Sequence, residues 1–186
     1  MSKINVMVDL ETLGTMVNAP ILSIGACVFN MEGPVQGKQA FYVECSLESQ
    51  LDHRPIDLTT LRWWNKQGNA PYDGETALNV ALANFNQWLV MVSDGKVDDL
   101  IVWCKGLDFD IAILNLAIRQ QNINVMWKYN AVRDMRTVLK VLKSNSSIEK
   151  LEALKNNPQP HNALEDAKHQ AYELVGWMGR FGIGLE

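Results

Sequence analysis

The amino-acid sequence predicts an α/β fold in which one mixed β-sheet is flanked by helices. Apolar runs typical of strands come first, in residues 4–9, 20–30 and 39–45, and short turns separate the later ones. From residue 58 onward, most segments instead carry apolar residues at steps of three and four, which is the helical period. One more short apolar run, residues 99–104, lies between these helices. Strands followed by helices that alternate with a strand are typical of a mixed sheet covered by helices.

The three leading runs predict an antiparallel meander. Residues 20–30 place branched apolar side chains among small residues, as expected of a buried strand. Gly33, Pro34 and Gly37 mark the turn that leads to the third strand. Consecutive strands joined by short turns pair in the antiparallel direction.

Five segments have the helical period. The longest apolar stripe belongs to residues 74–93, where Ala77, Val80, Ala81 and Phe85 follow one another at helical steps. The five predicted helices are residues 58–67, 74–93, 108–121, 133–143 and 162–180.

Composition predicts a single globular domain over residues 1–186. The length is enough for one core of ordinary size, and 47% of the residues are hydrophobic. No run approaches about 18 consecutive apolar residues, so we expect no membrane-spanning helix and no contact with a membrane. The three cysteines, Cys27, Cys45 and Cys104, are odd in number and widely spaced, which favours reduced thiols and a cytoplasmic location.

The net charge of −4 argues mildly against a protein that grips duplex DNA through many phosphates. Carboxylates that hold divalent cations reverse the sign of the local charge, however, so an acidic chain can still act on nucleic acid. The case for any such activity must come from particular residues.

The first candidate residues are Asp9 and Glu11, at the end of the first predicted strand. Side chains two apart on a strand point to the same face, so the two carboxylates converge while Leu10 points to the opposite layer. Paired carboxylates repel each other unless a cation lies between them. An isolated pair of this kind is better explained as the solvated end of a strand, where acids cap a turn.

The second candidate is Asp110, which follows the apolar run of residues 99–104. We expect Asp108 to cap the next helix and Asp110 to lie inside its first turn, with Phe109 directed to the core. Taken alone, capping is the better explanation of both acids.

The third candidate is the pair His161 and Asp166. Pro158 and Pro160 keep the preceding segment out of a helix, so the last helix is expected to begin near Asn162. His161 then lies in the loop and Asp166 on the helix body, because positions five apart on one helix do not share a face. A single histidine beside a helix start is usually an ordinary exposed residue.

Together these signals supply four carboxylates and one imidazole. Such a set suits hard divalent cations, Mg²⁺ or Mn²⁺, which prefer oxygen ligands. Two ions roughly 3.5–4 Å apart can clamp the attacking and leaving oxygens of a phosphodiester. An imidazole, with an ordinary pKa near ~6.5, can accept a proton from the attacking water at neutral pH.

The order of these motifs resembles the three exonuclease motifs of the DEDD (DnaQ-like) superfamily, in its His-containing branch. Residues 8–14 (VDLETLG), 20–26 (PILSIGA) and 103–110 (WCKGLDFD) look most like the group that holds exonuclease A of T-even phages and related bacterial and prophage exonucleases. The resemblance extends from Val6 to about Tyr172. Lys105 and Gly106 stand where many members of the broader superfamily carry His-Asn.

The resemblance implies a ribonuclease-H-like sheet and a role for each motif residue. His161 would be the general base, Glu11 would also contact the terminal 3′-hydroxyl, and Leu13 would lie against the last base. The implied ligands of two metal ions are Asp9, Glu11, Asp110 and Asp166. The implied pocket for the last nucleotide is lined by Thr12, Leu13 and Gly14.

Adjacent tryptophans at Trp63 and Trp64 add a candidate surface for a base. Neighbouring residues on a helix point about 100° apart, so one indole can be buried while the other faces a groove. Both can also be packing residues; if one stacks on a base, we expect it to be Trp64. Arg133 and Asp134 can be a helix cap with an ion pair, or they can steady the substrate backbone.

The sequence therefore predicts a metal-dependent 3′→5′ exonuclease that hydrolyses single-stranded nucleic acid at its 3′ end and releases nucleoside 5′-monophosphates. DNA is the favoured substrate and RNA the alternative. The competing hypotheses are a non-catalytic nucleic-acid-binding module on the same fold and a ribonuclease-H-like endonuclease. A homodimer and a monomer both remain open.

Overall fold

The computed structural model describes residues 3–144, 157 and 159–185, which form a six-stranded sheet and five α-helices. The strands are β1 Ile4–Thr12, β2 Ile21–Asn30, β3 Gly33–Pro34, β4 Ala40–Glu44, β5 Leu100–Cys104 and β6 Val132–Asp134. The α-helices are α1 Leu58–Gln67, α2 Leu78–Val92, α3 Ala112–Gln120, α4 Met135–Ser144 and α5 Ala163–Arg180. A π-helical turn, Leu107–Ile111, leads into α3.

Strand β1 lies in the middle of the sheet. It pairs antiparallel with β2 on one side and parallel with β5 on the other, and β6 pairs parallel with β5 at the edge. Beyond β2, β4 pairs with residues 23–27 and the short β3 with residues 29–30. The predicted mixed sheet is confirmed, and so is the antiparallel meander of β1, β2 and β4.

Helices pack against the sheet and enclose its apolar side chains. Helix α5 lies across β1 and β2, α4 packs against α5 and β5, and α2 contacts β4. Strands β2 and β5 are almost entirely buried, because helices or loops cover both of their faces. A second, smaller cluster of buried side chains contains Leu13, Leu22 and Trp64.

Three predicted helix starts differ from the structure. Helix α2 begins at Leu78 rather than at residue 74, because Thr76 forms a parallel bridge with Cys45. The segment at Val132–Asp134 is a strand rather than the start of a helix, since its backbone pairs with β5. The helix predicted to begin at residue 108 is divided into the π-helical turn and α3. In each case, long-range backbone pairing or a tight turn overrides the local periodicity.

All three cysteines are buried free thiols, as their spacing predicted. Burial raises the pKa of each thiol to about 12, so these groups stay protonated and behave as small apolar side chains. Among the described helices, none is both long enough and apolar enough to cross a bilayer.

Candidate active site

The carboxyl ends of β1 and β5 bring the first two acidic motifs together. Because these strands are parallel neighbours, the residues that follow them meet at the same edge of the sheet. The backbone N–H of Leu10 donates a hydrogen bond to Oδ1 of Asp110, at 3.2 Å. The carboxylate of Asp110 is therefore bound to the backbone between Asp9 and Glu11, at the end of β1.

Asp108 does not cap a helix, so that prediction is wrong. The turn begins after Gly106, whose carbonyl accepts the N–H groups of Phe109 and Asp110 at 3.1 and 3.2 Å. The carbonyl of Gly106, whose φ is 147°, thus accepts N–H groups at the start of the turn. This is the role that was expected of the Asp108 carboxylate. Asp108 is exposed. Asp110 lies inside the turn, as the sequence predicted, and its side chain is buried there.

The start of α5 presents the third motif. Asn162 is its N-cap, and its side-chain oxygen accepts the N–H groups of Leu164 and Glu165, both at 3.1 Å. His161 precedes the helix with φ of 66°, and its backbone N–H donates to Oδ2 of Asp166 at 2.8 Å. The predicted loop position of His161 and helical position of Asp166 are confirmed. His161 and Asp166 are five residues apart and would not share a face of one helix. The hydrogen bond from the His161 backbone to the Asp166 carboxylate holds them close together.

Gly25 allows α5 to reach the sheet beside Asp9. Asp9 on β1 and Gly25 on β2 are directly opposite each other in the antiparallel pair. A Cβ at Gly25 would lie 2.1 Å from the carbonyl carbon of Ala163 and 2.2 Å from the nitrogen of Leu164. The first turn of α5 therefore rests directly on the backbone of β2, which sets its distance from Asp9.

The three motifs converge in the folded chain. The ligand atoms of Glu11, His161 and Asp166 all lie within 4.8 Å of one another. Nε2 of Gln170, one turn after Asp166 on α5, donates to Oδ1 of Asp9 at 2.6 Å. Asp9 is close enough to Asp110, Glu11 and Asp166 to be influenced by the charge of each.

Burial and mutual repulsion raise the pKa values of these carboxyls. Burial is the main cause at Asp9, whose pKa is raised well above its ordinary value, and Asp110 and Glu11 add to the effect. Burial followed by the charge of Asp166 raises the pKa of Glu11 to about 8. Burial raises the pKa of Asp110 to about 7, although the N–H of Leu10 and the cation of Arg136 oppose it.

These shifts make the stability of the metal-free protein depend on pH. A carboxyl whose pKa is higher in the folded state favours folding while it is protonated. For Glu11 this contribution is complete below its ordinary pKa of 4.5 and is lost as the pH rises through about 8. For Asp110 the corresponding loss extends from 3.8 to about 7.

The chemistry of the donor set fits divalent cations. Two buried carboxylates, Glu11 and Asp110, lie close to the half-buried Asp9 and Asp166, and protons alone would have to neutralise them near pH 7. Hard divalent cations favour such all-oxygen sites and bind the deprotonated carboxylates, so they would replace those protons. The residues present therefore match the metal that the sequence predicted.

The structure does not support the choice of Trp64 as the stacking residue. Trp64 is only 1% exposed, and its Nε1 donates to the carbonyl of Thr12 at 2.9 Å. Trp63, by contrast, is 40% exposed and packs edge-on against His161, with ring centroids 4.8 Å apart. The orientation of α1 turns the second indole into the smaller apolar cluster and leaves the first at the surface.

Leu13 is also buried, so its expected contact with the last base is not available in this conformation. It packs with Leu22 and Trp64 and has no exposed surface. A groove of about 390 Å³ does lie beside Glu11, and its walls include Thr12, Gly14, Trp63 and Phe109. Thr12 donates its hydroxyl to the carbonyl of Gly14 at 2.7 Å, which fixes that wall.

Three residues at the site were missed in the sequence. Gln170 could have been found, because it lies four residues after Asp166 and so shares its face of α5. Asn157, whose side chain donates to Oδ1 of Asp166 at 2.6 Å, and Arg136, which acts on Asp110 from α4, gave no local signal. Asp134 caps α4 by accepting the N–H of Arg136, which favours the capping interpretation of that segment.

Comparison with known sequences identifies relatives of this chain. Residues 4–175 match the family described as the 3′-5′ exoribonuclease Rv2179c-like domain. The exodeoxyribonuclease of Enterobacteria phage T4 is 26% identical over 133 residues, a match that covers 63% of this chain and 57% of the phage protein. The chain thus matches less than two thirds of that relative's length.

Solved structures share the fold at low identity. Cell-death related nuclease 4 (CRN-4) has a TM-score of 0.70 at 13% identity, covering 97% of this chain and 65% of that one. The nuclease domain of 3′hExo, a DEDDh family member crystallised with rAMP, has a TM-score of 0.68 at 13% identity, covering 100% of this chain and 96% of that domain. The ribonuclease-H-like arrangement predicted from the motifs is confirmed.

Proposed function

Because this chain belongs to the family of 3′-5′ exoribonuclease Rv2179c-like domains, we propose that it hydrolyses single-stranded nucleic acid from the 3′ end and releases nucleoside 5′-monophosphates. The observation that carries the proposal is the convergence of the three motifs. Carboxylates from β1, the turn after β5 and α5 lie close enough to influence one another, and the His161 side chain lies beside those of Glu11 and Asp166.

Two divalent cations, Mg²⁺ or Mn²⁺, would be held by Asp9, Glu11, Asp110 and Asp166. When bound, they would supply the positive charge that activates water and neutralises a phosphodiester. The raised pKa values of Asp9, Glu11 and Asp110 support this assignment, because buried acids in such numbers are costly without a compensating charge.

His161 would take the proton from the attacking water. Its ring lies with the carboxylates of Glu11 and Asp166, and Trp63 packs edge-on against it. Its backbone N–H is tied to Asp166, so the imidazole is attached to a rigid helix start rather than to a free loop. A proton acceptor positioned in this way contributes typically ~10²–10⁴-fold to a rate.

The groove beside Glu11 would hold the terminal nucleotide. Thr12 and Gly14 form one wall, and the exposed ring of Trp63 offers a face on which a base can stack. Stacking on an aromatic ring contributes ~1–3 kcal/mol whichever base is present, which suits an enzyme that must accept every nucleotide. Glu11, which lines the same groove, would contact the terminal 3′-hydroxyl.

The relatives differ in the sugar that their names specify. The matching family is described as an exoribonuclease, whereas the phage relative is an exodeoxyribonuclease. We propose single-stranded DNA as the substrate and RNA as the alternative, to be decided by direct comparison. Recognition of RNA would need a partner for the 2′-hydroxyl near the terminal sugar.

The test uses matched DNA and RNA single strands labelled at the 5′ end, with Mg²⁺ or Mn²⁺. A 3′→5′ exonuclease shortens the labelled strand stepwise and releases 5′-monophosphates, and EDTA stops it. A circular single strand must remain intact, because cleavage of it would indicate an endonuclease. Binding of the strands without any hydrolysis in either metal would instead identify a nucleic-acid-binding module and overturn the proposal.

A further inference from the structure

A groove lined by cations lies between α4, α5 and the loop after β5. Its volume is about 500 Å³. The lining side chains are Lys105, Arg136, Leu139, Lys140, Lys143, Ser144 and Glu173. None of these residues was assigned a role by the three acidic motifs.

The charge of this groove is opposite to that of the chain. Among the residues that the structure describes, it gathers four cations around one carboxylate, in a protein whose net charge is −4. Glu173 lies 2.8 Å from Lys143 and 4.0 Å from Lys105, so a single acid serves two lysines. Both lysine side chains keep more than a third of their surface exposed, and Lys140 is exposed as well. The excess positive charge therefore faces solvent.

The helical period accounts for the row of cations. Arg136, Lys140 and Lys143 follow one another at steps of four and three, which places them on one face of α4. Like charges at this spacing destabilise a helix, roughly as much as an opposite pair stabilises it. A row of this kind is relieved when an anion binds along it.

Arg136 connects this groove with the acidic cluster. Its guanidinium lies against Gly106, where an added Cβ would be 3.0 Å from Nη2. Gly106 is followed directly by the turn that carries Asp110, and Arg136 opposes the rise in the pKa of that carboxyl. The groove therefore begins beside the carboxylates and extends away from them along α4.

We propose that this groove binds the phosphodiester backbone of the substrate strand, on the 5′ side of the bond that is cleaved. The inference rests on the proposed function and extends it to the part of the strand beyond the terminal nucleotide. The row from Arg136 to Lys143 extends about 10 Å along α4. This exceeds the ~3.4 Å of helix axis that each phosphate occupies on one strand of B-DNA, so the row is long enough to contact more than one phosphate.

The double variant Lys105→Gln/Lys140→Gln tests this assignment. Its binding of a labelled single strand of about a dozen nucleotides, a length within the usual site sizes, is measured by fluorescence anisotropy at several salt concentrations. We expect the Kd to rise roughly 3- to 20-fold at low salt, because two surface charges that attract phosphates are removed. The slope of log Kd against log salt should fall by about 0.7 for each phosphate that the variant no longer neutralises.

The matched control is the double variant Lys96→Gln/Lys128→Gln, which also removes two positive charges. Both lysines are exposed, and Lys128 forms an ion pair with Asp98, which precedes β5. Lys96 also precedes β5, whereas Lys105 follows that strand, so the two lie at opposite ends of it. The control changes the net charge in the same direction and should leave both the Kd and the salt slope unchanged. An equal effect of both variants would overturn the proposal, because it would reflect net charge rather than the groove.

Hydrolysis of a small substrate distinguishes a role in binding the strand from a role in catalysis. The nitrophenyl ester of thymidine 5′-monophosphate has one phosphodiester and nothing on its 5′ side to reach α4. We expect the Lys105→Gln/Lys140→Gln variant to keep the wild-type kcat/KM on this ester and to lose efficiency on the long strand through KM. A loss on both substrates would make the lysines part of the catalytic site and overturn the assignment.

Glu173→Gln makes the groove more positive, whereas the Lys105→Gln/Lys140→Gln variant makes it less positive. It removes the carboxylate that partly neutralises the groove, so it should lower the Kd for the long strand and steepen the salt slope. A purely structural role of these side chains predicts no gain in affinity. Unchanged binding in both this variant and the Lys105→Gln/Lys140→Gln variant would refute the inference while leaving the nuclease activity of the wild type as a separate result.

Discussion

Replacing Gly25 with alanine should displace the first turn of α5 from the sheet. The added Cβ would lie 2.1, 2.2 and 2.4 Å from three atoms of the backbone at Ala163 and Leu164. No side-chain rotation can relieve contacts with backbone atoms. Since carbon atoms pack at about 3.5–4.0 Å, the helix start must retreat by roughly 1.5 Å.

The size of the effect follows from that displacement. Overpacking of this kind costs about 1–3 kcal/mol of unfolding free energy, which lowers Tm by roughly 3–10 °C in a chain of this length. The larger effect is on rate, because His161 and Asp166 are carried by the displaced turn. Misplacement of catalytic groups by 1 Å can reduce a rate about 10²-fold.

The assay measures kcat on a single-stranded oligonucleotide beside a thermal melt of the same sample. Gly179→Ala, on the same helix, is the control, because among the described residues no atom beyond the surrounding helical turns and chain neighbours lies within 4 Å of the added methyl group. That change should keep the activity and leave Tm equal or slightly higher, since alanine is the better helix former. Wild-type kcat in Gly25→Ala would refute the reasoning, even if its Tm fell.

Other perturbations address the acidic cluster and the groove beside it. Asp166→Asn should lose nearly all hydrolysis while the protein stays folded by circular dichroism; retained turnover would exclude Asp166 as a ligand. His161→Ala should lower kcat by about 10²–10⁴-fold and still bind Mn²⁺ by calorimetry, and loss of that binding would make the imidazole a ligand instead. In EDTA, Tm should fall as the pH rises from about 5 to 8, because Glu11 and its neighbours lose protons that folding favours. Added Mg²⁺ should reverse the fall, and a flat profile would contradict the burial of these acids. Trp63→Ala should raise KM about tenfold through the loss of a stacking face, whereas Trp63→Phe should not; equal effects would contradict stacking.

Much of the fold was predictable because local patterns and core burial agree. The runs that became β1 and β2 are apolar over most of their length, and both strands lie inside the sheet. Strand β6 was not predictable, since three residues show no period and their pairing with β5 is decided by distant backbone groups. The bridge between Cys45 and Thr76 shortened a predicted helix for the same reason.

The candidate site, like the fold, was predictable only in part. The positions of Asp9, Glu11 and Asp110 follow from where two strands end, and the proline-bounded start of α5 places His161. The structure does not support Trp64 as the stacking residue, because the rotation of α1 about its axis, which decides which indole is buried, depends on what packs beneath the helix. The burial of Leu13 likewise depends on Trp64.

The sequence by itself determined which chemical groups the protein has and the order in which strands and helices present them. Such information is local: strand alternation, helical period and helix-starting residues act between near neighbours. Only the tertiary structure decided how close those groups come, which indole meets solvent, and that cations from α4 and the loop after β5 form one groove. Those outcomes depend on contacts between distant segments, such as Gly25 with Ala163, and no short stretch of sequence encodes them.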